Sequence, residues 1–241
     1  MPSERFYIDA PLAKGALLIL KDEEFHHLCH VMRLRENDEL ELINGKNLLA
    51  KAIVESIEKK SAHLKITEIT IEKPLAPRII LAQAIPRLNR LEFIIEKGTE
   101  LGVSEFRLFP GSHSEKVSMS KNQELRLRHL AIAAMKQSGR LDLPSISLHP
   151  PLKKWQEFKG IALFGDPDPS FPYIWELSRA PFTNGAPLIF FIGPEKGFSP
   201  EERLILQQTL AAPGVRLHPN TLRVDTASLA AISIIYPFLI N

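Results

Sequence analysis

Residues 188–202 read Leu-Ile-Phe-Phe-Ile-Gly-Pro-Glu-Lys-Gly-Phe-Ser-Pro-Glu-Glu. Five apolar residues in a row, closed by a Gly-Pro turn signal, predict a short buried strand running into a loop. The loop enters a well-specified helix start. Ser199 can serve as N-cap, Pro200 suits the first helical position, and Glu202 stands where a capping box places its carboxylate. Gly193 and Gly197 bracket the loop, and without a Cβ there a ligand can approach the backbone closely. A second segment, Leu222-Arg223-Val224-Asp225-Thr226-Ala227, brings an arginine, a carboxylate and a hydroxyl together just before an apolar run. Strand, glycine loop and helix in this order build ligand sites in α/β proteins, so the small-molecule site is expected here.

The loop is none of the common nucleotide cradles. No two glycines of the chain stand as Gly-x-Gly, which excludes a dinucleotide fingerprint, and no Gly-x-x-x-x-Gly-Lys-Ser/Thr phosphate loop occurs. The plain alternative for Gly193 to Gly197 is a tight strand-to-helix turn without a ligand.

Outward from this stretch, strands and helices alternate, which argues for an α/β domain. Strands are expected at Arg78 to Ala84, Phe106 to Phe109, Ile161 to Phe164 and Arg216-Leu217. Helices are expected at Leu88 to Leu101, stopped by Gly102, at Gln123 to Gly139, at Pro200 to Leu210 and at Thr226 to Tyr236. Strands ending near Phe164, Ile192 and Leu217 would deliver three loops to one edge of a parallel sheet, where ligands bind. Residues 1–72 read differently, as short, partly alternating β runs with a strong hairpin signal at Asn44-Gly45 and one short helix from Asp22 to Leu28. Lys73-Pro74-Leu75-Ala76-Pro77 breaks the pattern, so the domains are placed at 1–72 and 73–241.

The 241 residues carry a net charge of only +2, so a nucleic-acid partner must be argued from local patches rather than from the total. Lys121, Arg126, Arg128, His129, Lys136 and Arg140 against Glu124 make such a stripe on one helix. A solubilising helix face is its bland counterpart. The single cysteine, Cys29, excludes an intrachain disulfide and fits a reducing compartment. The Met-Pro-Ser-Glu-Arg start lacks a long apolar core, and the apolar run from Ala227 to Ile240 is too short to span a bilayer, so a cytoplasmic protein is expected. His26, His27, Cys29 and His30 cluster, but no second His/Cys group exists to complete a zinc site, so no metal is expected. The last helix is apolar all round and is expected to be buried on every side.

Gly-Pro-Glu-Lys-Gly-Phe-Ser followed by Leu-Arg-Val-Asp-Thr-Ala resembles the signature of the 16S ribosomal RNA uridine N3-methyltransferase family (RsmE-like), in the SPOUT class of knotted methyltransferases. Arg5-Phe6, His26-His27-Leu28 with Met32-Arg33-Leu34-Arg35, Lys97 with Glu100-Leu101-Gly102-Val103, and Gln137-Ser138-Gly139-Arg140 follow in the family's order. The chain departs from the family at Lys196, usually Gly, at Asp225, usually Glu, and at Ser112 to Lys116, which lacks an arginine. The resemblance implies an α/β chain with a C-terminal SPOUT-type trefoil-knotted parallel-sheet domain and a small N-terminal PUA-like β-barrel domain. It implies S-adenosylmethionine as cofactor, 16S ribosomal RNA or the assembled small ribosomal subunit as partner, and a homodimer paired through the last helix. Its alternatives are a knotted methyltransferase acting on another RNA position, and an RNA-binding homologue that has lost catalysis, for which Lys196 is the motive.

On this footing the cofactor would lie against Phe164, Gly165, Ile192, Gly193, Pro194, Glu195, Gly197, Leu217, Leu222 and Arg223. RNA would meet Arg5, Arg33, Arg35, Arg126 and Arg140, since guanidinium groups pair bidentately with phosphate oxygens. Lys97 and Glu100, three apart on a helix, would either pair with each other or orient the neighbouring loop. The chemistry asks for a carboxylate to take or direct the uridine imide proton and a cation near the carbonyl oxygens that gather charge. Asp225 and Glu195 are the carboxylate candidates, Arg223 and Arg140 the cationic ones, with a structural Arg223–Asp225 ion pair as the other reading. No cysteine stands near these motifs, which disfavours covalent catalysis and fits a nitrogen or oxygen acceptor.

Overall fold

The structure is a computed structural model that describes residues 5–73, 78–115, 118–178, 182 and 185–239. The proline-rich break at 74–77, Lys116 and Ile240 lie outside the described residues. The chain divides into two compact units, Met1–Pro74 with Ile132–Leu143, and Leu75–Ala131 with Pro144–Asn241.

The first unit is a five-stranded sheet in the order β1-β3-β4-β5-β2. Its strands are β1 (Arg5–Tyr7), β2 (Leu17–Leu20), β3 (Glu39–Ile43), β4 (Leu48–Ile57) and β5 (Ala62–Ile71). Alternation decides which face is buried: Ala62, Leu64 and Ile66 of β5 point inward between exposed or half-buried neighbours. They meet Phe6, Leu20, Leu28 and Leu42 in one core. The expected Asn44-Gly45 turn joins β3 to β4, with Gly45 at φ +73. A side chain at Gly45 would also meet Leu143 Cβ at 2.6 Å, so this turn needs glycine twice over. Helix α1 (Asp22–His26) continues as a wider π-turn, His27–Val31. Its Phe25, Leu28, Cys29 and Met32 pack on the core, while the His26 and His30 rings stack at 4.5 Å on the exposed side. The segment Ile132–Leu143 clusters with this unit, where Met135 and Leu141 form a small core with Ile43 and Lys136 pairs with Glu24 at 2.6 Å. No composition shift marks that return.

The second unit is a six-stranded, all-parallel sheet in the order β11-β9-β10-β6-β7-β8. The strands are β6 (Ile79–Ala84), β7 (Glu105–Phe109), β8 (Ser145–Leu148), β9 (Ile161–Gly165), β10 (Leu188–Ile192) and β11 (Gly214–Val215). Every residue of β6 and of β10 is buried, as expected of central strands covered on both faces. A parallel α/β domain and a separate small N-terminal β domain are what the resemblance implies.

The third strand end is not where the sequence places it. The strand is Gly214–Val215 rather than Arg216-Leu217, and Arg216 makes only an isolated bridge to Tyr173. Packing is the reason: a Cβ on Gly214 would meet the Phe171 and Phe164 rings at 2.6 and 2.7 Å, so the residue that looks like a turn is the one that fits. Helices α2 (Leu88–Glu100) and α3 (Lys121–Ser138) match their expected spans within two residues. Helix α4 (Pro200–Leu204) carries the expected capping box in full, with Glu202 N–H donating to Ser199 Oγ (3.2 Å) and Ser199 N–H to Glu202 Oε2 (2.9 Å). It continues as a π-turn through Thr209. Helix α5 (Val224–Leu239) starts two residues earlier than expected, which places Asp225 inside the first turn instead of before it. Within one chain it is not buried all round. Ser228, Ala231, Ile232 and Ile235 face inward, while Leu229, Ala230 and Ile234 stay half-exposed.

One polar side chain sits in the middle of this core. Gln83 on β6 is fully buried, and its amide donates to the carbonyls of Ala84 (2.8 Å), Gly193 (3.3 Å) and Ile192 (3.4 Å). Its oxygen accepts from the Ser228 hydroxyl of α5 at 2.6 Å. Ser228→Ala strands that oxygen in an apolar interior, which is expected to cost about 1–3 kcal/mol. Urea unfolding of the two proteins side by side measures it, and an unchanged midpoint would show that the hydroxyl is dispensable.

Candidate functional site

Three neighbouring strands end at one level. In the sheet register Ile192 of β10 pairs with Gly165 of β9, and Gly165 pairs with Val215 of β11. The loops leaving them close around a cleft of about 250 Å³ at the carboxyl edge of the sheet. Of the residues expected to hold the cofactor, Gly165, Ile192, Gly193, Pro194, Glu195, Gly197, Leu217 and Leu222 line this cleft. Phe164 does not; it is fully buried behind the wall, edge-on to Phe171 and Phe198. Arg223 is not a lining residue either, although its neighbours Leu222 and Val224 are.

The two loop glycines are required for different reasons. Gly197 has φ +72 and open space around it, and its N–H closes a turn onto the Pro194 carbonyl at 2.8 Å. Gly193 is a steric requirement: a Cβ there would sit 3.1 Å from the backbone of Gly197 and Phe198. The space expected from the sequence to admit a ligand at Gly193 is filled by the loop's own backbone.

Glu195 is held by its surroundings. Its Oε1 accepts the Arg87 N–H at the start of α2 (3.1 Å) and lies 3.5 Å from Arg90 Nη1. Arg223 is exposed and reaches Asp225 Oδ2 at 3.3 Å, so the ion pair exists but is long. The other Asp225 oxygen, Oδ1, is buried with no hydrogen-bond partner. Such an orphaned acceptor is uncommon in a folded protein and calls for a reason. Arg140 pairs with Asp142 inside the first unit, is buried, and is not among the residues lining the cleft.

Sequence reasoning missed a charged cluster on the cleft wall. Asp166 and Arg203 both line the cleft, and Arg203 lies between Asp166 (3.0 Å) and Asp168 (3.3 Å). The 3.0 Å contact to Asp166 is made by the buried Arg203 Nε and is an ion pair without hydrogen-bond alignment. Burial pushes the Asp166 carboxyl above its ordinary value, against the pull of the Asp168 N–H and of Arg203. The neighbouring Asp168 moves down, chiefly because the Ser170 N–H and hydroxyl donate to it. Pro167, Lys196, His218, Asn220, Thr221, Val224 and Ala227 complete the missed lining. The adjoining Gly165 and Leu217 were the available signal for Asp166 and His218; the reach of Arg203 from α4 left none.

The arginines expected to meet RNA divide into two groups. Arg5 pairs with Glu41 (2.9 Å) and also donates to the Gly139 carbonyl, and Arg126 pairs with Glu92. Arg33 and Arg35 are exposed, and among the described residues neither has an ion-pair partner. Lys97 lies 2.8 Å from both Glu96 and Glu100, and these bonds push its ammonium up to about 12.

Residues 72–236 match the family model of an RNA methyltransferase domain, and residues 20–67 that of an RNA methyltransferase PUA domain. Ribosomal RNA small subunit methyltransferase E of Bacillus subtilis is 28% identical over 247 residues, covering 96% of this chain and 95% of that protein. The protein of the same name from Aquifex aeolicus is 29% identical over 232 residues, 93% of this chain and 96% of its own length. Among solved structures, ribosomal RNA small subunit methyltransferase E of Neisseria gonorrhoeae, bound to S-adenosyl methionine, aligns with a TM-score of 0.86 at 25% identity, over 98% of this chain and 97% of that one. A Legionella pneumophila structure holding the cofactor SAM gives 0.87 at 26% identity, over 98% of each chain.

Because the folded state raises the Asp166 carboxyl above its unfolded 3.8, it holds that proton more tightly than the unfolded chain does. The buried charge therefore opposes folding at neutral pH, and the opposition fades as pH falls through the window just above 3.8. Asp166→Asn is expected to melt at or above the wild-type temperature at pH 7, with the difference shrinking toward pH 4. A difference that grows on acidification would reverse this sign.

Proposed function

Because the chain belongs to the RNA methyltransferase family, we propose that it is an S-adenosylmethionine-dependent enzyme that methylates N3 of a uridine in 16S ribosomal RNA. The observation that carries this reading is the cleft built from three adjacent strand ends and the Gly193–Gly197 loop. The residues present fit such a cofactor. Ile192, Leu217 and Leu222 supply apolar walls, the glycine loop supplies backbone, and Asp166 and Arg203 bring charge to the cleft wall. When bound there, S-adenosylmethionine supplies an electrophilic methyl group.

The remaining work falls to side chains. The uridine imide must lose its N3 proton, and Asp225, with one oxygen unpartnered and the start of α5 favouring negative charge, is assigned to receive or direct it. Arg223, exposed beside it, is assigned to the carbonyl oxygens that gather charge. Glu195, engaged by Arg87 and Arg90, positions the loop and is not assigned a proton transfer. Arg33 and Arg35 on the N-terminal domain, residues 1–72, are assigned to phosphate contacts. The half-exposed Leu229, Ala230 and Ile234 of α5 are assigned to a homodimer contact, which would complete the burial of that helix. Such an enzyme works in the cytoplasm, where the ribosomal RNA is.

Asp225→Asn keeps size and hydrogen-bonding capacity but removes the charge. Single-turnover methylation is expected to fall roughly 10²–10⁴-fold with little change in melting temperature. Near-normal turnover would move the proton to another group. In a strain lacking the gene, mass spectrometry of 16S ribosomal RNA should show one N3-methyluridine missing; loss of a methyl at any other atom would replace this substrate assignment. Sedimentation is expected to give twice the 27.2 kDa chain mass.

A further inference from the structure

Three planar groups of the second unit form a stack beside the cleft. The rings of Tyr173 and Trp175 lie 4.4 Å apart and 8° from parallel. The Arg216 guanidinium lies 3.9 Å from the Tyr173 ring centre, and since Trp175 already covers one face of that ring, Arg216 takes the other. The backbone holds the stack in place: Arg216 N–H donates to Pro172 (2.8 Å), Ile174 N–H to Arg216 (2.9 Å), and Arg216 Nε to the Phe171 carbonyl (2.8 Å). Ile174, between the two rings in sequence, is buried and turns them outward. Trp175 is 50% exposed although Tyr173 covers one face, so its other face is open. The chain runs directly from Arg216 into Leu217 and His218 of the cleft wall.

We infer that the open face of Trp175 is a stacking platform for an unpaired RNA base next to the one being modified. This rests on the uridine-N3 reading and extends it. N3 lies on the Watson–Crick edge, so the target must be unpaired and drawn out of its stack before it can react. Its neighbour then loses a stacking partner, and an exposed indole backed by a second ring and a cation replaces it.

Binding of 16S ribosomal RNA, free and in small ribosomal subunits, is measured for wild type, Trp175→Ala and Trp175→Phe across a salt series. The alanine variant is expected to bind roughly five- to a hundredfold more weakly, the range found when a base loses its aromatic partner. Its plot of log affinity against log salt should run parallel to wild type, because stacking releases no counterions. Phenylalanine should recover most of the loss, and calorimetric affinity for S-adenosylmethionine and melting temperature should be unchanged in both. Wild-type RNA affinity in the alanine variant overturns the platform, as does an altered salt slope. Sedimentation that differs from wild type also overturns it, since Trp175 would then be covered by a second copy of the chain. Wild-type protein that binds neither form of the RNA takes down the uridine-N3 reading and the platform together, whereas loss confined to the variant leaves both standing.

Discussion

The cleft depends on one buried amide. Gln83 stands in the central strand β6, where every neighbour in the strand is buried, and a lone polar group there would be strongly destabilising. It is tolerated because its hydrogen bonds run to the carbonyls of Ile192 and Gly193 and to Ser228 on α5. Two walls of the cleft, the end of β10 and the start of α5, are thereby tied to the middle of the sheet. An apolar residue would pack as well but would lose those bonds to β10 and α5. The requirement for polar satisfaction thus fixes where the loop begins.

From that anchor the loop is shaped by contact rather than by freedom. Gly193 lets the chain double back on Gly197, the Pro194–Gly197 turn closes, and Ser199 and Glu202 start α4. Glu202 also accepts the Ser112 N–H at 2.8 Å, so the same carboxylate that caps the helix holds the segment after β7. Lys196 is exposed at the turn and lies outside these bonds. Glycine at that position is therefore not a conformational requirement of the loop as folded here, where the positive φ falls on Gly197.

Much of this was legible from residues 188–202, because strand, turn and capping box are local and each has a short-range cause. The Asn44-Gly45 hairpin was readable for the same reason. What escaped was non-local. Gly214 looks like a turn until the rings of Phe164 and Phe171 are placed against it. Gln83 looks like an interruption of an apolar run until Ser228, far along the chain, is beside it. Asp166 and Arg203 meet only when β9 and α4 are brought together. The π-turns that extend α1 and α4 carry no sequence pattern of their own, since the same apolar spacing serves an ordinary helix.

The return of Ile132–Leu143 to the first unit has a consequence for how such a protein can be rearranged. The hairpin turn at Gly45 is shaped to receive Leu143, and Ile43 is roofed by Met135 and Leu141. The small β unit is therefore not a bead on a string that recombination could cut out at its linker and splice onto another enzyme. Its surface is finished by a piece of chain encoded beyond the first strands of its neighbour. Any exchange of modules would have to carry that piece along, which favours the inheritance of both units as one gene segment.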